Sequence, residues 1–369
     1  MSLAATVVQQ VRVQNPDLDK NEHRLSEYGA LDFFYSQSLS NPLLTAEAKR
    51  QAIESAGKTM KMPVINYDGS ISISNSRSCT ISDAENTSAL MDVTFVTYAV
   101  GFTMVPAMYS SNEIDYQNDF AKKIKKCARV LGAALDSAAI TALESAKTKV
   151  LANPLLYTFS SDKVSAPWEA REDILGDIEP MMASNDYNDA IHIIGNTGVY
   201  SLVRKLAEKS IYNEVNKDME WQGKQFHFTN RLTNAEGNYA TFYAVEDGNV
   251  DMLFRYDREA VRGSQSNDHS WDIVNMPYLN IPVGLHYYTA VGDFHAIGAE
   301  SDADMTCVIK EYFGFSVDVA FVTAYNSAYS SKANPIIKGE VASGANYAQA
   351  VRVLSSETDP IYTSAVTEE

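Results

Sequence analysis

Cysteine is scarce in this chain of 369 residues: Cys79, Cys127 and Cys307 stand far apart. They form no CxxC pair and cannot build a disulfide framework, so a reducing cytoplasm is the expected place of folding. Long apolar runs are missing too. No stretch approaches the roughly 20 apolar residues that cross a bilayer. The opening residues, MSLAATVVQQVRVQNPDLDK, lack the basic start and apolar core of a secretory signal. A soluble protein, intracellular when made and with no membrane partner, is the expectation. Positive charge is in short supply: 30 Lys and Arg face 47 Asp and Glu, a formal net charge of −17. Such a surface repels nucleic acid on average, which excludes generic DNA or RNA binding. It would suit a wall that faces DNA without sticking to it.

Catalytic and ligand-binding spacings are also wanting. No HExxH pairs the six histidines, and two or three scattered donors such as His286, Asp293 and His295 seldom hold a metal. There is no GxSxG elbow. Ala56-Gly57-Lys58-Thr59 resembles the end of a phosphate-binding loop, but Ala52 stands where the first glycine is required, and a helix precedes it where a strand is needed. A helix C-cap is the simpler reading. Cys127 lies among Lys125, Lys126 and Arg129, which could lower its thiol pKa, yet it also lies near an apolar helical stripe and reads as a packed structural residue. Acidic pairs such as Glu172-Asp173 carry no sign of acid–base work. No catalytic, cofactor-binding or metal residue is assigned.

What is present is a mixture of helix and strand signals. Residues 1–40 read as an arm with one short helix. Asn41-Pro42 opens a helix that runs to Gly57. The serine-rich segment PVINYDGSISISNSRSCTISD alternates apolar and polar residues around a Tyr67-Asp68-Gly69 turn and predicts a long hairpin. Its apolar content is too thin to stand alone. A strand follows from Val93 to Val105. Over 116–149, Phe120, Ile124, Ala128, Leu131, Leu135, Ala138, Ala142 and Ala146 recur at steps of three and four, which predicts a helix of some 45–50 Å. Trp168, Leu175, Ile178 and Met182 share one face of the next helix. Ala190–Ile194 is a strand, and Asn196 caps the helix after it. Phe226–Phe228 and Tyr239–Val245 read as strands joined around the Asn234–Asn238 turn. Phe313, Phe315, Val317, Val319 and Phe321 alternate with smaller or polar residues, the clearest strand pattern in the chain. Residues 329–369 read as a polar tail.

One charge cluster stands out. Lys122, Lys123, Lys125, Lys126 and Arg129 fall within eight residues of an acidic chain. The plain reading is a solvated helix face, and the functional one is a docking strip for an acidic partner surface or DNA.

The stretch YAVGFTMVPAMYSSNEIDYQNDFAKKIKKCARVLGAALDSAAITALE, with Leu131, Leu135, Asp136, Ala138, Ala139, Ile140 and Leu143 in order, resembles the core of tailed-bacteriophage major capsid proteins of the Hong Kong 97 type. AIHIIGNTGVYSLVRKLAEK resembles that family's strand–Asn–helix unit, and FGFSVDVAFVTAYNSAYSSKANPI its returning strand. The resemblance covers roughly residues 40–335. It implies an α+β fold with an N-terminal arm (1–58), an extended E-loop hairpin (59–92), a P domain with a spine helix (93–150), an A domain (151–290), returning P-domain strands (291–330) and a C-terminal tail (331–369). It implies a non-enzymatic subunit without cofactors that assembles in the host cytoplasm into pentamers and hexamers of an icosahedral virion capsid. That shell would enclose double-stranded DNA without reading its sequence, with a separate scaffolding protein and a portal as partners. An encapsulin-like nanocompartment shares the fold and is the nearest rival. A cytosolic α+β enzyme with its site in 160–290, or another virion component, is more distant.

Overall fold

The computed structural model describes residues 28–54, 57–66, 87–109, 113–147, 157–160, 163–183, 187, 189–207, 219–221, 223–277, 279–295, 305–323 and 335–344. The first helix, α1 (Gly29–Ser40), turns Ala30, Leu31, Phe33, Phe34 and Gln37 into the interior. It stops where the Asn41 N–H bonds back to the Gln37 carbonyl and Pro42 follows. The next helix, α2 (Ala46–Glu54), begins later than Pro42. Thr45 sets the start, because its hydroxyl accepts from the Ala48 N–H at 3.3 Å.

Strands β1 (Thr59–Asn66) and β2 (Thr87–Thr94) pair antiparallel over eight residues and make a sheet of their own. This ladder is the base of the expected hairpin; the Tyr67–Gly69 turn lies outside the described residues. The strand expected from Val93 to Val105 breaks at Phe95, whose ring is buried and whose N–H donates to the Lys58 carbonyl at 2.7 Å. Beyond the break, β3 (Val96–Met104) joins a different sheet.

A 3₁₀ turn (Pro106–Tyr109) leads towards α3 (Glu113–Ala146), whose 34 residues span about 50 Å. Its buried seam is Phe120, Ile124, Cys127, Ala128, Leu131, Leu135, Ala139 and Leu143. The expected Ala138, Ala142 and Ala146 are only half-buried, since the larger Leu143 leads the last turns inward one position further on.

The chain continues through β4 (Thr158–Ser160), β5 (Lys163–Ala166), α4 (Asp173–Ala183), β6 (Ile191–Gly195), α5 (Thr197–Ala207), β7 (Met219–Trp221), β8 (Lys224–Phe228) and β9 (Asn238–Glu246). Leu175, Ile178 and Met182 are buried on α4, but Trp168 stands in a separate 3₁₀ turn and meets Tyr239 edge-on. Asn196 caps α5 as expected, its carbonyl oxygen accepting from the N–H groups of Gly198 and Val199. Last come β10 (Val250–Arg255), α6 (Arg258–Arg262), β11 (His269–Asn275), β12 (Pro282–His295), β13 (Met305–Thr323) and β14 (Ile336–Ala342).

Two larger sheets organise these strands. The first runs β11-β12-β13, with β3 on one edge of β13 and β10 following β12 along the other. Phe313 and Phe315 of β13 face α3, where Phe120 meets Phe313 edge-on with ring centres 4.9 Å apart. At its far end β13 also buries Ala320 and Val322 on the opposite face, against Val93, Phe95 and Leu253. The second sheet runs β4-β5-β14-β9-β6-β8-β7. Helices α4 and α5 cover one face. The other face shares a core with α1, α3 and the first sheet through Ile194, Tyr243, Val245 and Ile336. With both faces covered, β6 is buried throughout, which is why it reads as an unbroken apolar run.

Three expectations about boundaries change. Strands β10, β11 and β12, placed by sequence in the 151–290 unit, pair within the first sheet. Strands β8 and β9 are not neighbours, because β6 lies between them, parallel to β8. Residues 336–342, expected in the 331–369 tail, are a central strand between β5 and β9. The polar look of β14 misleads because its charges are paired inside: Glu340 holds Lys163 at 2.7 Å, and Lys338 reaches Glu144 at 3.2 Å.

Candidate functional site

The basic cluster on α3 divides by helical geometry. Lys122, Lys126 and Arg129 recur at steps of four and three, so they form one stripe, and all three are exposed. Lys123 points elsewhere. Its ammonium donates to the Thr103 carbonyl at 3.0 Å and pairs with Asp119 at 2.9 Å, fastening α3 to β3. Lys125 is half-buried and has an interaction of its own. Beside the stripe, Val130 is 54% exposed. The neighbouring Cys127 is buried, and burial pushes its thiol up against the pull of Lys126, so it packs and does not react.

Two turns past the stripe lies Asp136, fully buried. It accepts from the Leu31 N–H at 3.0 Å and from the Thr229 hydroxyl at 2.5 Å. The Ala30 N–H also bonds to it, and Arg231 stands 3.9 Å away. Leu31 and Ala30 belong to the first turn of α1, which has no side-chain cap from its own N-cap residue, Tyr28. Asp136 therefore caps α1 from another helix and joins three elements: the spine helix α3, α1 and the end of β8. Burial raises its carboxyl pKa against the pull of those donors. Close approach is a condition of this joint. A Cβ on Gly29 would stand 2.3 Å from the Phe228 carbonyl oxygen, so only glycine fits there. Sequence reading placed Asp136 only through its family-like pattern; its role as a trans cap has no local signature.

A second charged joint closes the C-terminal end of α3. Glu144 takes hydrogen bonds from Lys147, Tyr243 and Lys338. Burial pushes its carboxyl up, yet these three donors hold it below the usual carboxylate range.

The histidines gather in two pairs. His192 Nδ1 lies 3.2 Å from His227 Nε2, and His192 Nε2 lies 3.2 Å from Gln37 Nε2. The Gly248 N–H donates to Gln37 Oε1 and orients the amide, so its NH₂ faces His192 Nε2. His192 Nε2 then accepts, and Nδ1 carries the proton towards His227. Phe33 of α1 lies over both rings, at 5.0 and 5.2 Å. Burial lowers both histidines, His227 to about 3. The second pair, His269 and His286, is 3.1 Å apart and stacks with Trp271 and Tyr288 on the half-exposed face of the first sheet. His286 thus meets His269. No group of three or more His, Cys, Asp or Glu that could hold a metal is assembled among the described residues. The Gly57–Thr59 segment is occupied by the protein itself: Arg255 donates to the Gly57 carbonyl, and Lys58 donates to the Thr97 hydroxyl at 2.6 Å. Among the described residues no helix is long and apolar enough to cross a membrane.

No protein-family model and no curated protein matches the sequence. Among solved structures, the chain is similar to one from Mycobacterium phage Bobi at 12% identity and a TM-score of 0.44, covering 84% of this chain and 91% of that one. It is similar to the cyanophage Pam1 capsid asymmetric unit at 9% identity and a TM-score of 0.44, covering 80% and 88%. It is also similar to the capsid of a native GTA particle at 12% identity and a TM-score of 0.41, covering 81% and 92%. At such identities and TM-scores these likenesses assign neither family nor function.

Proposed function

We propose that this chain is a shell subunit, the major capsid protein of a tailed bacteriophage, and works by tiling with copies of itself and not by catalysis. One observation carries the reading: β1 and β2 form a two-stranded sheet separate from both larger sheets. Its base packs on its own chain through Val93 and Met60, but a two-stranded ribbon is marginal in water, so the length beyond that base needs a surface to lie on. In a shell that surface is an adjacent copy, and the long α3 is the rod that links the two larger sheets, packing on β3 and β13 of the first and touching β14 of the second. Pentamers and hexamers, a separate scaffolding protein, a portal and enclosed double-stranded DNA belong to the same reading, as does assembly in the host cytoplasm. Many weak heterologous contacts per subunit, each at high effective concentration, would make such a shell stable.

Deletion of residues 65–85 is expected to leave a folded subunit with a near-normal unfolding midpoint that forms no shells under electron microscopy. Shells of normal size from the deletion would overturn the reading. Within it, the exposed stripe Lys122, Lys126 and Arg129 is the part of the basic cluster fit to dock an acidic neighbour or packaged DNA. Reversing these three charges to Glu is expected to lower particle yield or DNA content about tenfold, and more so as salt is reduced. Lys123→Glu should instead lower subunit stability, because it breaks the contacts to Thr103 and Asp119. Normal particles from the triple reversal would remove the stripe from the assembly surface.

A further inference from the structure

On the face of the first sheet turned away from α3, register sets the side chains in rows. One row holds His269 on β11, Tyr288 on β12, Tyr312 on β13 and Thr103 on β3. The next holds Trp271, His286, Gly314 and Gly101. Parallel rings stack along both rows. Tyr288 and Tyr312 lie 4.5 Å apart at 2°, and Trp271 and His286 lie 4.5 Å apart at 5°. At that spacing parallel rings overlap face to face. In the first row the stack runs on to β13. In the second it stops at His286, because the next position is glycine.

Nothing in the backbone asks for glycine at 314. A Cβ there would meet no atom closer than the His286 carbonyl oxygen at 3.6 Å, an ordinary contact. The residue lies inside β13 and outside the left-handed region. Glycine weakens a strand interior and marks places where a ligand approaches closely. Gly101 beside it answers to crowding, since its Cβ would stand 2.8 Å from the Phe313 carbonyl oxygen. Together the two glycines leave a slot with backbone as its floor and the second face of His286 as one wall. Further along β13 on the same face come Ser316, about 7 Å on, and then Asp318. Both border a cavity of about 510 Å³, within the size range of small-ligand sites. Its lining sets Asp257, Glu259 and Asp318 beside Arg255 and Arg258. Asp318 takes the Thr97 hydroxyl on one oxygen at 2.6 Å and keeps a second.

We propose that this groove binds a nucleoside. The base stacks on the open face of His286 above Gly314, and the sugar lies over Ser316 and Asp318. A planar heteroaromatic ring is what continues a parallel stack. Sugar hydroxyls both donate and accept, so they suit a lining that mixes carboxylates with guanidinium groups. Three carboxylates against two guanidinium groups give an added phosphate no net attraction, and a formal charge of −17 turns away a nucleic-acid strand. The free nucleoside is therefore the ligand. The inference is independent of the tiling function.

Equilibrium dialysis of the full chain against adenosine tests this. Saturable uptake of one adenosine per chain is expected, with ribose bound at least about tenfold more weakly because it lacks the stacking ring. Gly314→Val fills the slot and should lower adenosine affinity at least about tenfold. Its unfolding midpoint should hold or rise, since a β-branched residue suits a strand. His286→Leu removes the stacking face and should lower affinity by a similar factor; it carries the test if the valine variant fails to fold. No saturable uptake by the unaltered chain, ribose binding as tightly as adenosine, or unchanged affinity in the folded variants would each overturn the inference. Tighter binding of a short oligodeoxyadenylate would give the slot to a nucleic-acid strand and equally overturn it.

Discussion

Replacing Asp136 with alanine is expected to cost about 3–5 kcal/mol of subunit stability, at least about a fifth of the roughly 5–15 kcal/mol a typical domain has. The carboxylate is fully buried and holds the Leu31 amide, the Ala30 amide and the Thr229 hydroxyl. Alanine removes the acceptor and leaves the donors stranded, each at about 1–3 kcal/mol unless water enters. Asparagine keeps the shape and one acceptor oxygen, but it turns an amide NH₂ towards donors, so about half the loss is expected. Urea unfolding midpoints of the two variants measure this. A shift of less than about 1 kcal/mol for alanine would mean that α1 docks without its borrowed cap.

Acid is expected to loosen the same helix by another route. His192 and His227 are neutral and hydrogen-bonded beneath Phe33 and Gln37, and burial lowers both, His227 to about 3. A histidine whose folded pKa lies below its ordinary value stabilises the fold fully above about pH 6.5 and loses that contribution as pH falls towards the folded value. Protonation at His192 Nε2 sets a proton against the Gln37 NH₂. Asp247, 3.4 Å from the same nitrogen, offsets part of that charge. We expect about 2–4 kcal/mol to be lost between pH 7 and pH 4.5, short of the full linkage value because His227 retains some solvent contact. The His227→Gln variant should show a flatter loss over that range. If its midpoint falls as steeply as that of the unaltered chain, the pair is not what responds to acid.

Residues whose neighbours are close in sequence were legible in advance. The α3 seam from Phe120 to Leu135, the Asn196 cap and the alternation of β13 from Phe313 to Val319 each depend on spacing within one element, and these read correctly; Ala138, Ala142 and Ala146 do not, and the far end of β13 buries Ala320 and Val322 on its other face. The helix after Asn41 was seen, but its start was misplaced: proline favours a first turn in general, while here the Thr45 hydroxyl supplies the cap. What failed were features settled by distant partners. Strand β14 looks like a polar tail until Lys163 and Glu144 arrive to pair its Glu340 and Lys338. Lys123 looks like one of five equivalent basic residues until Asp119 and the Thr103 carbonyl draw it in. The reach of β10, β11 and β12 into the first sheet is a matter of long-range pairing, which no local pattern encodes. The candidate surfaces were half visible for the same reason: charge and exposure leave a trace in composition, but the slot beside His286 becomes apparent only once Gly314 is known to be its partner across the ladder.

The position of β14 bears on how the subunit is made. It stands between β5 and β9, yet it is the last of the described elements to leave the ribosome. At about 5–20 residues per second, β5 waits roughly ten seconds or more for this partner. During that wait two strand edges in the middle of the second sheet stay open, inviting intermolecular pairing. A prematurely terminated polypeptide would keep that gap permanently, so translation itself acts as a checkpoint on which copies reach a competent shape.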